Sequence, residues 1–164
     1  MIKDLSLFGV LLFSLISCSS DRLEPDDEII KRFIKDRSSY EELADIVIDK
    51  KLTEVRKIKT SEGLVFTSHP TLPPDDILHV KNLMNNLDIK VVLHDVTKGE
   101  EKVEYYVSSA GFVFGGELKG IVYSYKGFPL SVVKSLDKIE KSNKKGRFYS
   151  EIEPKWYLFY EFDD

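Results

Sequence analysis

The stretch VEYYVSSAGFVFGGELKGIVYSY, residues 103–125, decides the fold. Its first twelve residues are rich in Val, Tyr and Phe, side chains that suit a pleated, half-buried surface. Gly115-Gly116 supplies the backbone freedom of a tight reversal, and residues 118–125 return with the same character. The pattern predicts a long β-hairpin turning at the two glycines. A second hairpin is expected from 147–152 and 156–162, around Glu153-Pro154. A third is expected from 53–60 and 64–68, around Ser61-Glu62-Gly63. The short β-branched run KVVLHDV (90–96) adds one more strand. Tight hairpins pair antiparallel, so the sheet is expected to be antiparallel.

Helical signals lie outside these strands. Ile29, Ile30, Phe33 and Ile34 form an apolar stripe behind Asp26, Asp27 and Glu28, acids that suit the positive end of a helix dipole. A second helix is predicted from Ser39, with Glu42 completing a capping box and Leu43, Ile46 and Val47 buried. Pro73-Pro74-Asp75-Asp76 opens a third, with Ile77, Val80, Leu83 or Met84, and Leu87 at helical spacing. A fourth is expected from near Pro129, burying Val132, Val133, Leu136 and Ile139 and stopping between Asn143 and Gly146. The expected class is α+β: an antiparallel sheet of hairpins packed with about four helices in a single domain, residues 28–164. A chain of 164 residues suits one core of this kind.

Composition narrows the function. Lys and Arg number 24 against 28 Asp and Glu, a net charge of -4, which argues against a nucleic-acid partner whose phosphates need neutralising. The single cysteine, Cys18, excludes an internal disulfide, a multi-cysteine zinc site and an iron–sulfur cluster. Cys18 follows LSLFGVLLFSLI (5–16), a run of twelve residues. As a helix the run covers roughly 18 Å, short of a hydrocarbon core of about 30 Å. It does match the apolar region of a secretory signal peptide.

Leu15-Ile16-Ser17-Cys18 resembles the lipobox of bacterial lipoproteins: an aliphatic residue, a variable one, a small one, then cysteine. The resemblance covers residues 1–18 only. It implies a diacylglyceryl group on the Cys18 sulfur, cleavage of the signal peptide (1–17) between Ser17 and Cys18, and acylation of the new amino terminus. Residues 18–27 would then be the lipidated terminus and a short tether. Its nine residues after Cys18 reach roughly 30 Å when extended. The implied partner is a membrane, held through lipid on Cys18. In that family an aspartate after the cysteine is associated with the inner membrane. Ser19 stands there, so the implied location is the cell envelope, on the outer membrane facing the periplasm where two membranes exist.

The remaining chemistry-bearing residues read as structural. His69, His79 and His94 show neither HxH nor HxxxH spacing, so no metal site is expected. Ser108-Ser109-Ala110-Gly111 lacks the nucleophile-elbow pattern and reads as small residues in a strand. The pairs Asp26-Asp27, Asp75-Asp76, Glu100-Glu101 and Asp163-Asp164 fall at helix starts, turns or the terminus, and adjacency along the chain does not place two acids across a cleft. No phosphate-cradling glycine loop is present, and no catalytic residue and no cofactor are expected. The basic stretch KSNKKGR (141–147) reads as a solvated helix end that could touch anionic head groups. Aromatic residues crowd the second half of the chain and fall on both faces of residues 156–162. Tyr105, Tyr106, Tyr157 and Phe159 are therefore a candidate binding surface, since Tyr and Trp make good interface anchors. The leading expectation is a membrane-anchored, non-enzymatic lipoprotein that binds a protein or an envelope component. The alternatives are an immunity-type lipoprotein that neutralises a toxin and a cell-envelope hydrolase.

Overall fold

The computed structural model describes residues 23–61, 63–97, 100–112, 115–125 and 132–163. In chain order these form α1 (Asp26–Asp49), β1 (Glu54–Thr60), β2 (Gly63–His69), α2 (Pro74–Asn86), β3 (Val91–Thr97), β4 (Glu100–Phe112), β5 (Gly115–Ser124), α3 (Leu136–Glu140), β6 (Gly146–Glu153) and β7 (Trp156–Asp163). The seven strands make one antiparallel sheet in the order β2-β1-β3-β4-β5-β7-β6. The architecture is α+β, with more sheet and fewer helices than expected.

Among the described residues three helices stand where four were expected. The first two predicted segments are one 24-residue helix with non-helical dihedrals at Asp36 (φ -112°, ψ 22°). Ser39 lies inside it and caps nothing, because the apolar positions on both sides of the kink pack into one core. Phe33, Tyr40, Leu43 and Val47 are buried, whereas Ile34 remains 64% exposed. The expected fourth helix shrinks to five residues. Pro129, where it was to start, lies outside the described residues, and Val132 is exposed.

The long hairpin forms, but its turn is displaced. Phe112 pairs with Gly115 and Gly111 with Gly116, so both glycines belong to β5. The C-terminal hairpin turns at residues 154–155, with Lys155 at φ 73°.

Both long helices return the chain to the sheet in the same way. Lys51 and Asp88 adopt the left-handed conformation (φ 52° each). Leu52 N–H then donates to Val47 O, and Ile89 N–H to Met84 O, both at 2.9 Å. This is the Schellman pattern, and its apolar contact is present, since Leu52 and Ile89 are fully buried.

The helices cover one sheet face. Trp156 sits at the centre of that core, with ring centroids 4.8 Å from Phe33, 4.8 Å from Tyr123 and 6.1 Å from Tyr105. The Tyr105 hydroxyl donates to Tyr40 O at 2.9 Å, which satisfies the one polar atom such a ring brings inside. Burial pushes the Tyr40 phenol up to about 12. A side chain of this size contributes about 1.5–3 kcal/mol when fully buried.

Candidate functional site

The expected binding surface is not a surface. Tyr105 and Phe159 are fully buried, Tyr157 nearly so, and Tyr106 is half-buried. Tyr105 faces the helices. The other three lie on the opposite sheet face, in a second core with Val122 and Tyr149 that no helix residue joins. A strand with aromatics on both faces has thus built two cores. Polar groups complete the second one. Glu104 is buried and meets Arg147 at 2.8 Å and Lys102 at 2.8 Å, and the Tyr106 hydroxyl donates to it at 3.2 Å. The Arg147 guanidinium lies over the Phe159 ring, 4.4 Å from its centroid. Burial would raise the Glu104 carboxyl, but Arg147 and Lys102 outweigh it and hold the group below the ordinary glutamate value. These ion pairs hold the patch together, although the buried Arg147 Nε has no hydrogen-bond partner among the described residues.

A second charged centre joins the helix ends. The Lys119 side chain is fully buried, with Nζ 3.0 Å from Asp26, 2.5 Å from Asp137 and 2.9 Å from Glu140. The two aspartates also cap each other's helices. Asp26 accepts from the N–H groups of Leu136 (2.7 Å) and Asp137 (3.0 Å) at the start of α3, and Asp137 accepts from Asp26 N–H (3.1 Å) at the start of α1. A β-bulge in β4 between Tyr106 and Ser108 places Ser108 opposite Lys119, where its hydroxyl accepts from Glu24 N–H at 3.0 Å. Burial works against the Lys119 charge, but its bonds to Asp137, Glu140 and Asp26 prevail and hold the ammonium above the usual lysine value. Beside this centre lies a cavity of about 590 Å³ lined by Leu23, Glu24, Pro25, Ser108, Asp137, Glu140 and Lys141. Leu23 is already buried, so packing begins ahead of the expected domain start at residue 28.

The other candidates are dispersed. His79 is half-exposed and meets Glu42 at 2.8 Å. The half-buried His94 lies between Leu52 O (3.0 Å) and Glu101 (3.1 Å). His69 ends β2. Ser109 accepts from Lys90 at 3.2 Å. Among the described residues no group of His, Cys, Asp and Glu is arranged to hold a metal ion. Cys18 and Ser17 lie outside the described residues.

The opening in the fold is at the other sheet edge. β1 pairs with β3 only over Glu54–Arg56, and Lys57 N–H makes the next bond, to Lys90 O at 2.9 Å. Beyond it, β1 and β2 continue as a two-stranded arm to Thr60 and Gly63. A ribbon of two strands is marginal on its own in water. This one carries exposed apolar side chains: Ile58 (41%) and its partner Val65 (44%) on one face, Leu64 (53%) on the other. Leu64 opens onto a groove of about 380 Å³ shared with Phe66, Pro74, Ile77, Leu78 and Lys81. Among the described residues β2 has no second strand neighbour. The hairpin itself was expected; its exposed apolar edge was not, although Leu64-Val65-Phe66 carried the signal. Three consecutive apolar residues in a strand cannot all face one core.

Comparison with family models, curated proteins and solved structures finds no match to this chain. Among the described residues no helix is long and apolar enough to cross a membrane.

Proposed function

We propose that the chain is a membrane-anchored, non-enzymatic lipoprotein that binds a partner protein of the cell envelope through the β1–β2 arm. The observation that carries the reading is the arm itself: an open strand edge flanked by exposed Ile58, Leu64 and Val65. Such an edge is a template for strand addition and a liability unless it is used. The occupant that fits is an extended segment of another protein, adding a strand to β2 and setting an apolar side chain in the groove with Leu78. Four cations, Arg56, Lys57, Lys59 and Lys81, belong to the arm and its groove, against Glu54, which is paired with Arg56, and Glu62 in the sequence between the two strands. The segment is therefore acidic as well as apolar. Anchoring rests on the lipobox at Cys18. Two or more acyl chains make attachment stable, at about 0.8 kcal/mol per buried CH₂.

The test uses the lipidated protein gently extracted from its native membrane. Wild type is expected to co-purify a partner that Val65→Lys loses by at least tenfold, with an unchanged melting temperature because Val65 is exposed. Labelled palmitate is expected in wild type and absent from Cys18→Ala. Equal recovery of the partner by wild type and Val65→Lys would overturn the arm, and palmitate surviving Cys18→Ala would overturn the anchor.

A further inference from the structure

We propose that the arm meets its partner close to the bilayer, and that the partner is held by the same membrane: a protein with a membrane span or lipid anchor of its own, whose acidic and apolar segment lies near the lipid surface. The inference rests on the arm as a binding edge and on Cys18 as the lipid attachment. It adds the class of partner, which neither reading gives alone.

The chain enters the fold at one end of the sheet. Leu23 is buried, Glu24 N–H donates to Ser108 Oγ at 3.0 Å, and Lys119 donates to Glu24 O at 3.3 Å. Ser108 and Lys119 are opposite each other, in the part of the β4–β5 ladder that runs from Tyr106 to Phe112. The strand register carries the arm to that same end. Val91, the first residue of β3, stands opposite both Arg56 and Tyr106. Past Arg56 the arm therefore runs alongside the part of β4 that follows Tyr106, where Ser108 holds Glu24. The other end of the sheet, where Thr97 pairs with Glu100, lies roughly 25 Å away along β4.

The distances are short. Cys18 lies five residues before Leu23, and five residues span at most about 18 Å. β2 stands three strand positions from β4, roughly 14 Å. Val65, paired with Ile58, thus stays within about 40 Å of a lipid-bearing Cys18 however the domain tilts. The site is also small. β2 offers an edge of seven residues, and the groove beside it holds about 380 Å³. One added strand with one seated side chain is a small interface for two freely diffusing proteins. Confining both to one surface raises their effective concentration, and a short tether keeps it high. A small edge on a short tether fits a partner that shares the membrane.

The test reads adducts in intact cells from a photoreactive residue at Val65, in the native chain and in one with about forty Gly and Ser residues inserted between Ser20 and Asp21. Palmitate is expected on both. The adduct per lipidated protein is expected to fall at least tenfold with the spacer. Its partner, identified by mass spectrometry, is expected to carry a membrane span or a lipid anchor. An adduct that the spacer leaves unchanged, or a partner with neither span nor anchor, would overturn the shared membrane while leaving the arm in place. No adduct from Val65 in either form would overturn the arm, and absence of palmitate would overturn the anchor; each takes this inference with it.

Discussion

Gly120→Ala is expected to destabilise the domain by about 3 kcal/mol or more, enough to move most of the protein into inclusion bodies. In an ordinary strand the same change is favourable, because alanine loses less conformational freedom than glycine on folding. Gly120 is different for a steric reason. A Cβ there would lie 2.2 Å from Tyr105 O on the neighbouring strand and 2.6 and 2.7 Å from two carbons of the Phe159 ring. The backbone at Gly120 is not left-handed, so the cost is overlap, not dihedral strain. Phe159 cannot step aside, being packed edge-on against Tyr106 at 5.2 Å and covered by Arg147. Thermal denaturation of Gly120→Ala, alone and with Phe159→Ala, tests this reading. The double variant should recover little, because the contact with Tyr105 O remains. A Gly120→Ala protein as stable as wild type would show that the two cores do not meet at this strand.

Lys119→Met is expected to cost about 3–5 kcal/mol, a drop in melting temperature on the order of 10 °C, since it removes the one cation from among three carboxylates. The loss should depend on pH in a definite direction. Burial would raise the Asp137 carboxyl, but hydrogen bonds from Lys119 and Asp26 hold it below its ordinary value of 3.8. A depressed acid contributes stability above its unfolded value and loses it as pH falls through its folded value. Lys119, held above 10.5, contributes below that value and loses its share as pH rises through the folded one. In Lys119→Met the carboxylates repel at neutral pH and are relieved by protonation. The gap between the two melting curves should therefore be widest near pH 7 and narrow towards pH 3. A constant gap would assign the loss to packing alone.

How far the sequence carried the fold follows from the range of each signal. The antiparallel hairpins were legible because turn and flanking strands are neighbours in sequence. The turn of the β4–β5 hairpin was misplaced by two residues, since Gly115-Gly116 resembles a turn locally but pairs with Gly111 and Phe112. The α1 kink was read as two helices because Ser39 and Glu42 satisfy a capping pattern that tertiary packing overrides. Lys119 gave no signal at all: its three acids stand at positions 26, 137 and 140, and only the sheet order brings them together. The buried Tyr105 and Phe159 were misassigned because alternation reports which residues share a face, not which faces are covered.

The measurement that bears most directly on the central claim is site-specific photo-crosslinking in intact cells, with the photoreactive residue at Val65 on the arm or, as a control, at the exposed Lys35 on α1. The account predicts one discrete adduct from Val65, none from Lys35, and loss of the Val65 adduct when Leu64→Lys is added. An adduct from Lys35 without one from Val65, or a Val65 adduct indifferent to Leu64→Lys, would contradict it.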